Sequence, residues 1–201
     1  MGERLAGGNV AIALLANTLV TGAMLFVLIT SFGPISGAHF NPAVSVVAAI
    51  QRNITWTMCA AYVAAQVAGA LIGVAAAHLM FELPVAQVSL RERSGAAQLF
   101  SEFVATFGLI AAIAATVRLA PSQVAAAVAS YIMAAYWFTA STSFANPAVT
   151  LARSLSDTFA GIRPTDAPAF IAAQFVGALV AMLIMSRLLP PRTKTQADTS
   201  R

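Results

Sequence analysis

The chain alternates long apolar runs with short polar breaks. From Leu5 to Gln51 there are 47 residues without Asp, Glu, Lys or Arg, and Asn53 to Phe81 gives another 29. About 20 such residues in a helix cross the hydrocarbon core of a bilayer. The pattern predicts full spans at about Asn9 to Phe32, Trp56 to Phe81, Ala97 to Leu119, Ser122 to Ala140 and Ala167 to Leu189. After the first and fourth of these come two shorter apolar stretches, Pro42 to Ile50 and Pro147 to Leu155. Each is opened by an Asn and preceded by a loop rich in small residues. Nine residues at 1.5 Å rise make about 13 Å, roughly half a bilayer core. They read as half-helices that enter and leave the membrane on the same side.

The same order occurs twice. "NPAV" at Asn41 returns at Asn146, an offset of 105, and "AAQVAGAL" at Ala64 returns as "AAQFVGAL" at Ala172, an offset of 108. One unit reads span, half-helix, span, and an odd number of spans inverts the second copy in the membrane. The fold expected is therefore an all-α membrane protein, one channel domain over residues 1–201. Its first repeat covers residues 1–81 and its second residues 97–189, with a polar tail at 190–201. The second copy opens with a span carrying Glu102, 44 residues before Asn146, and the same distance before Asn41 falls ahead of Met1. The first copy reads as lacking its opening helix, and the chain as an N-terminally truncated form.

Composition sharpens this picture. The chain is 59% hydrophobic and 9% charged, against about 25% charged in a soluble domain. Its net charge of +4 comes from basic residues scattered over loops and the tail, with no basic face for nucleic acid. The single cysteine, Cys59, forms no internal disulfide and reads as a packing residue. Gly69, Gly73 and Gly177 read as sites of close helix packing in lipid, and His78 as interfacial. No nucleophile–base pair or metal-ligand cluster stands out, so neither an enzyme nor a bound cofactor or metal is expected.

Inside lipid, irregular backbone survives only where protein buries it or water lines it. Two re-entrant loops in one small chain argue for an aqueous path. Asn at the cap position with Pro next to it is a strong helix start. Each half-helix then aims its free N–H groups, equivalent to about +0.5 charge, at mid-membrane. Two such ends disfavour cations and favour oxygen lone pairs.

"FGPISGAHFNPAV" at Phe32 to Val44 and "SFANPAVTLARS" at Ser143 to Ser154 resemble the two pore loops of the aquaporin and aquaglyceroporin superfamily. The resemblance covers essentially the whole chain. It implies a pore marked by Asn41, Pro42, Ala43 and Asn146, Pro147, Ala148, in which both Asn side chains donate to a single file of solute. It implies a rail of accepting carbonyls from Gly37, Ala38 and His39 and from Ser143, Phe144 and Ala145. His39 is either a loop-ordering residue beside the pore or a buried structural imidazole. Glu102 matches the family's buried glutamate that braces re-entrant backbone, the alternative being a proton or ion site.

Counting without gaps from the two motifs places the family's outer filter at Thr21, Ala134, Ser143 and Val149. The water-selective pattern has a bulky aromatic, a histidine and an arginine here, whereas these four are small or medium and uncharged. Valine in place of the arginine resembles bacterial aquaglyceroporins of the arsenic-resistance type. That implies passive diffusion of uncharged metalloid acids such as arsenous acid, with glycerol and water, through a homotetramer in a bacterial cell membrane. A general water or glycerol pore, a nonconducting remnant and a secondary transporter are the alternatives. Arg153, one turn beyond Val149, is a candidate for the outer vestibule, the alternative being an i,i+4 pair with Asp157.

Overall fold

The computed structural model describes residues 1–189. The polar tail lies outside the described residues. Every regular element among those described is helical: α1 (Gly2–Leu5), α2 (Val10–Ser36), α3 (Pro42–Ile50), α4 (Trp56–Met80), α5 (Ala96–Leu119), α6 (Val124–Phe138), α7 (Pro147–Arg153) and α8 (Ala167–Leu188). Helices α2, α4, α5 and α8 are each long and apolar enough to cross a membrane. Between 6% and 28% of their most apolar windows is buried within the protein. Leu15, Leu19, Phe26, Ile72, Phe100 and Leu183 point outward. Water would not solvate such faces, and lipid does.

The fourth expected span is assembled from two pieces. A 3-10 turn at Pro121–Gln123 leads into the 15 residues of α6. At about 2 Å rise for the first and 1.5 Å for the second, the pair reaches roughly 28 Å. Helix α2 runs past the Gly33–Pro34 break at which the sequence suggests an end. Pro34 sits in its last turn, where it removes the N–H that would bond Thr30 O without ending the helix, and Gly37 at φ 74° closes the helix with an N–H to Gly33 O at 2.9 Å. The half-helices start where the Asn-Pro pairs predict, and α7 ends two residues early, at Arg153.

Helix α5 packs along α8, and α2 along α6. Gly177 permits the first contact, since a Cβ there would overlap the carbonyl oxygen of Phe103. Gly22 on α2 seats the side chain of Met133 in the second. Gly69, which the offset of 108 pairs with Gly177, has nothing within 4 Å of a Cβ position, and neither has Gly73. Within the chain nothing packs on these two, and α4 contacts α3 and α7. His78 lies in the last turn of α4, at the span end where the sequence puts it. It is buried, with Nδ1 3.1 Å from Val85 O and Nε2 3.1 Å from Ser156 Oγ, joining the end of α4 to the loop after it and to the loop after α7. Cys59 is buried and free.

Candidate functional site

The two half-helices meet through their caps. Asn41 Oδ1 accepts from Ala43 N at 2.9 Å, and Asn146 Oδ1 accepts from Ala148 N at 3.0 Å and Val149 N at 3.3 Å. That use of the oxygen fixes where each side-chain amide points. Asn41 Nδ2 donates to Ala145 O at 2.7 Å, and Asn146 Nδ2 donates to Phe40 O at 2.8 Å. Each Asn thus caps its own half-helix and holds the carbonyl that precedes the other Asn. Each amide has a second N–H beyond this bond.

The backbone leading into the caps is strained in the same way twice. Gly37, Ala38 and Phe40 have φ of 74°, 46° and 46°, and Thr142, Ser143 and Ala145, each 105 positions on, have φ of 60°, 48° and 47°. Left-handed backbone at non-glycine residues costs about 1–3 kcal/mol each and persists only where the surroundings pin it. The candidate rail carbonyls of Gly37, Ala38, His39, Ser143, Phe144 and Ala145 belong to these two segments. That of Ala145 already takes the Asn41 amide.

Glu102 pins the second segment. It is fully buried, with Oε1 accepting from Phe144 N and Oε2 from Ala145 N, both at 2.9 Å. Gln174 Nε2 donates to Glu102 Oε2 at 2.6 Å and to Thr150 Oγ1 at 2.9 Å. The first segment has the matching bond from Gln66 Nε2 to Ser45 Oγ at 3.0 Å. In place of a carboxylate it has His39, whose Nδ1 lies 3.1 Å from the same Ser45 oxygen and whose ring stands edge-on to Tyr62 at 5.4 Å. His39 therefore orders the loop from within it.

The candidate filter residues are not all brought together. Thr21 Oγ1 lies 3.4 Å from Tyr136 Oη, and Arg153 Nη2 donates to the same phenol at 3.0 Å. Ser143 is buried and its hydroxyl has no partner. Val149, partly buried, follows the second cap directly. Ala134 stands apart on the exposed stripe of α6 with Ser130 and Trp137. It lies two residues, about 200° around the helix, from Tyr136. The gapless count thus reaches α6 at a residue facing away from Thr21, and the residue of α6 that faces Thr21 is Tyr136.

Arg153 does not pair with Asp157, whose Oδ1 accepts from Leu90 N at 3.0 Å. Its guanidinium lies over the ring of Phe144, 4.3 Å from the centroid. A second guanidinium, of Arg93, lies over the same ring at 4.8 Å. Arg93 comes from the loop between α4 and α5. It donates to Gly161 O, Ser141 O and Phe159 O, while its backbone N–H goes to Asp166 Oδ2. Burial, with the nearby charges of Arg153 and Arg91, lowers its pKa to about 10. Nothing in the sequence marks Arg93, Tyr136 or Phe144 as a group, because they lie on three segments that only tertiary packing unites.

Exposed apolar helices around two re-entrant half-helices define a multi-pass membrane protein built as an inverted repeat. The chain matches the description "Major intrinsic protein" over residues 3–121 and again over residues 119–200, and it belongs to that family. It is 56% identical to aquaglyceroporin AqpS of Rhizobium meliloti (strain 1021) over 190 residues, 94% of this chain and 82% of that protein. Aquaporin NIP3-1 of Arabidopsis thaliana is 34% identical over 151 residues, 68% of this chain and 47% of the plant protein. Aquaporin NIP1-4 of Oryza sativa subsp. japonica is 33% identical over 165 residues, 78% and 59% of the two chains. The chain spans about half the length of these two plant relatives. Members of the family are channels for small solutes and not enzymes.

Proposed function

We propose that this chain is a passive channel for small uncharged solutes, with metalloid acids such as arsenous acid, glycerol and water as its permeants. The observation that carries the reading is the crossed pair of amide bonds between Asn41 and Asn146. It holds two half-helix N-termini against each other, where their partial positive charge opposes cations and their remaining N–H groups suit oxygen lone pairs. The left-handed segments beside them supply backbone carbonyls for the hydroxyl hydrogens of the solute.

Passage of solutes bulkier than water rests on the uncharged outer residues, Thr21, Ser143 and Val149. A valine at 149 adds neither a cation nor donors, so the mouth stays wide and apolar there. The similarity to a protein named an aquaglyceroporin supports glycerol as a permeant. Assembly as a homotetramer in lipid, one pore per subunit, is part of the same reading.

Uptake by proteoliposomes of glycerol, arsenous acid and water, with sodium and protons as controls, tests it. Neutral solutes should enter well above the rate of empty vesicles and the ions should not. Flux no greater than in empty vesicles, or ion flux matching that of glycerol, ends the reading.

A further inference from the structure

We propose that Thr21, Tyr136 and Arg153 form a directed side-chain relay at the outer mouth, which presents to polyhydroxylated solutes the arginine donor that position 149 lacks. The inference rests on the channel reading above and adds the residues that set its preference among solutes.

Chemistry fixes the first step of the relay. A guanidinium only donates, so the Tyr136 oxygen must accept the 3.0 Å bond from Arg153 Nη2. The phenolic hydrogen is then free to be given to Thr21 Oγ1 at 3.4 Å. Either hydroxyl can donate in this pair; with the phenol as donor, the direction proposed here, Thr21 keeps its own hydroxyl hydrogen. Thr18, Thr30, Thr116 and Thr139 each return theirs to the carbonyl four residues back, at 2.7 Å, and Thr21 has no such bond.

Donors along this line have no acceptor among the described residues. Arg153 Nη1 is buried and unpartnered, and so is the hydroxyl of Ser143, next in the chain to the ring over which Arg153 lies. The carboxylates that could neutralise Arg153 are engaged elsewhere. Asp157 holds Leu90 N, Glu102 holds Phe144 N and Ala145 N, and Asp166 holds Arg93 N and Arg163. Unused buried donors cost free energy; neither atom is open to solvent as the chain stands, so a permeating molecule with several oxygens satisfies them by displacing the side chains that cover them. Stacking on Phe144 and the bond to Tyr136 hold the guanidinium plane, so that the donor is preorganised.

Parent, Arg153→Gln, Arg153→Lys and Tyr136→Phe full chains in proteoliposomes, at matched protein density, give the glycerol and water permeabilities and their ratio. Removing one charged donor should lower the glycerol-to-water ratio about tenfold in Arg153→Gln. The ratio should fall about threefold in Tyr136→Phe, which loses only the oxygen that aims the donor. Arg153→Lys keeps the charge but not the planar fork, and should fall between parent and Arg153→Gln. A ratio that rises in Arg153→Gln means that the side chain merely narrows the mouth and overturns the proposal. So does an unchanged ratio, or a parallel loss of both fluxes in all three variants. A parent that passes water but no glycerol overturns the relay alone, and a parent that passes neither overturns the channel reading as well.

Discussion

The amide of Asn41 donates to the carbonyl of Ala145, the residue before Asn146, at 2.7 Å, and Asn146 returns the bond to the residue before Asn41 at 2.8 Å. Neither loop can shift without loosening the other. Asn41→Asp keeps a good cap but turns an acceptor towards the Ala145 carbonyl, and it places a negative charge where two positive helix ends converge. We expect a stability loss of about 1–3 kcal/mol, that of an unmade buried bond, together with measurable cation leak. Thermal unfolding in detergent and sodium flux in vesicles check it. Unchanged stability and unchanged ion exclusion at both Asn sites would show that the crossed bonds do not hold the pore.

Glu102 accepts from two backbone N–H groups and from Gln174. Glu102→Gln preserves the shape but turns one carboxylate oxygen into a donor facing an N–H. At least one of these buried donors is then orphaned, at about 1–3 kcal/mol. Gln174→Leu should also cost more than Gln66→Leu, because Gln174 serves both the carboxylate and Thr150, whereas Gln66 serves Ser45 alone. Melting temperatures of the three variants decide this, and equal losses for the two glutamines would refute the asymmetry.

Gly177 and Gly69 are equivalent in sequence and opposite in environment. Gly177→Ala forces a methyl group onto backbone and should lower the folded yield sharply. Gly69→Ala meets nothing and should be neutral or gain up to about 1 kcal/mol from helix propensity. Size-exclusion profiles of the purified variants compare them, and a well-folded Gly177→Ala protein would contradict the tight α5–α8 contact.

What the sequence made legible was whatever repeats or alternates along it: the spans, both half-helix starts and the twofold relation all follow from hydrophobic runs and a fixed offset. Packing was less legible, because a glycine looks the same whether a helix lies against it, as at Gly177, or not, as at Gly69. The outer mouth was least legible. Counting residues from a motif assumes that the loop between Phe138 and Asn146 advances α6 by a whole number of turns. That loop is irregular, with left-handed residues at 142, 143 and 145, and in the fold Tyr136, not Ala134, stands opposite Thr21. Arg93 reaches the same place from a loop whose course no periodicity reveals.

Val149 offers the sharpest test, because its place is fixed by adjacency to the Asn146 cap and not by counting. Its N–H already bonds Asn146 Oδ1, so the start of α7 holds position 149 firmly. Arginine there would stand one turn, about 6 Å of rise, from Arg153. Arg93 is already close enough to Arg153 for its pKa to be lowered by that charge. A third guanidinium would both narrow the mouth and raise its positive potential. Val149→Arg should therefore reduce glycerol and arsenous acid flux by at least tenfold while leaving most of the water flux. The double variant Val149→Arg, Arg153→Val moves the cation back by one turn without adding one, and should recover part of the glycerol flux. Stopped-flow light scattering on vesicles of matched protein density measures water and glycerol, and arsenic uptake follows by elemental analysis. If Val149→Arg conducts glycerol as well as the parent does, position 149 does not face the solute, and the filter must be sought elsewhere in the mouth.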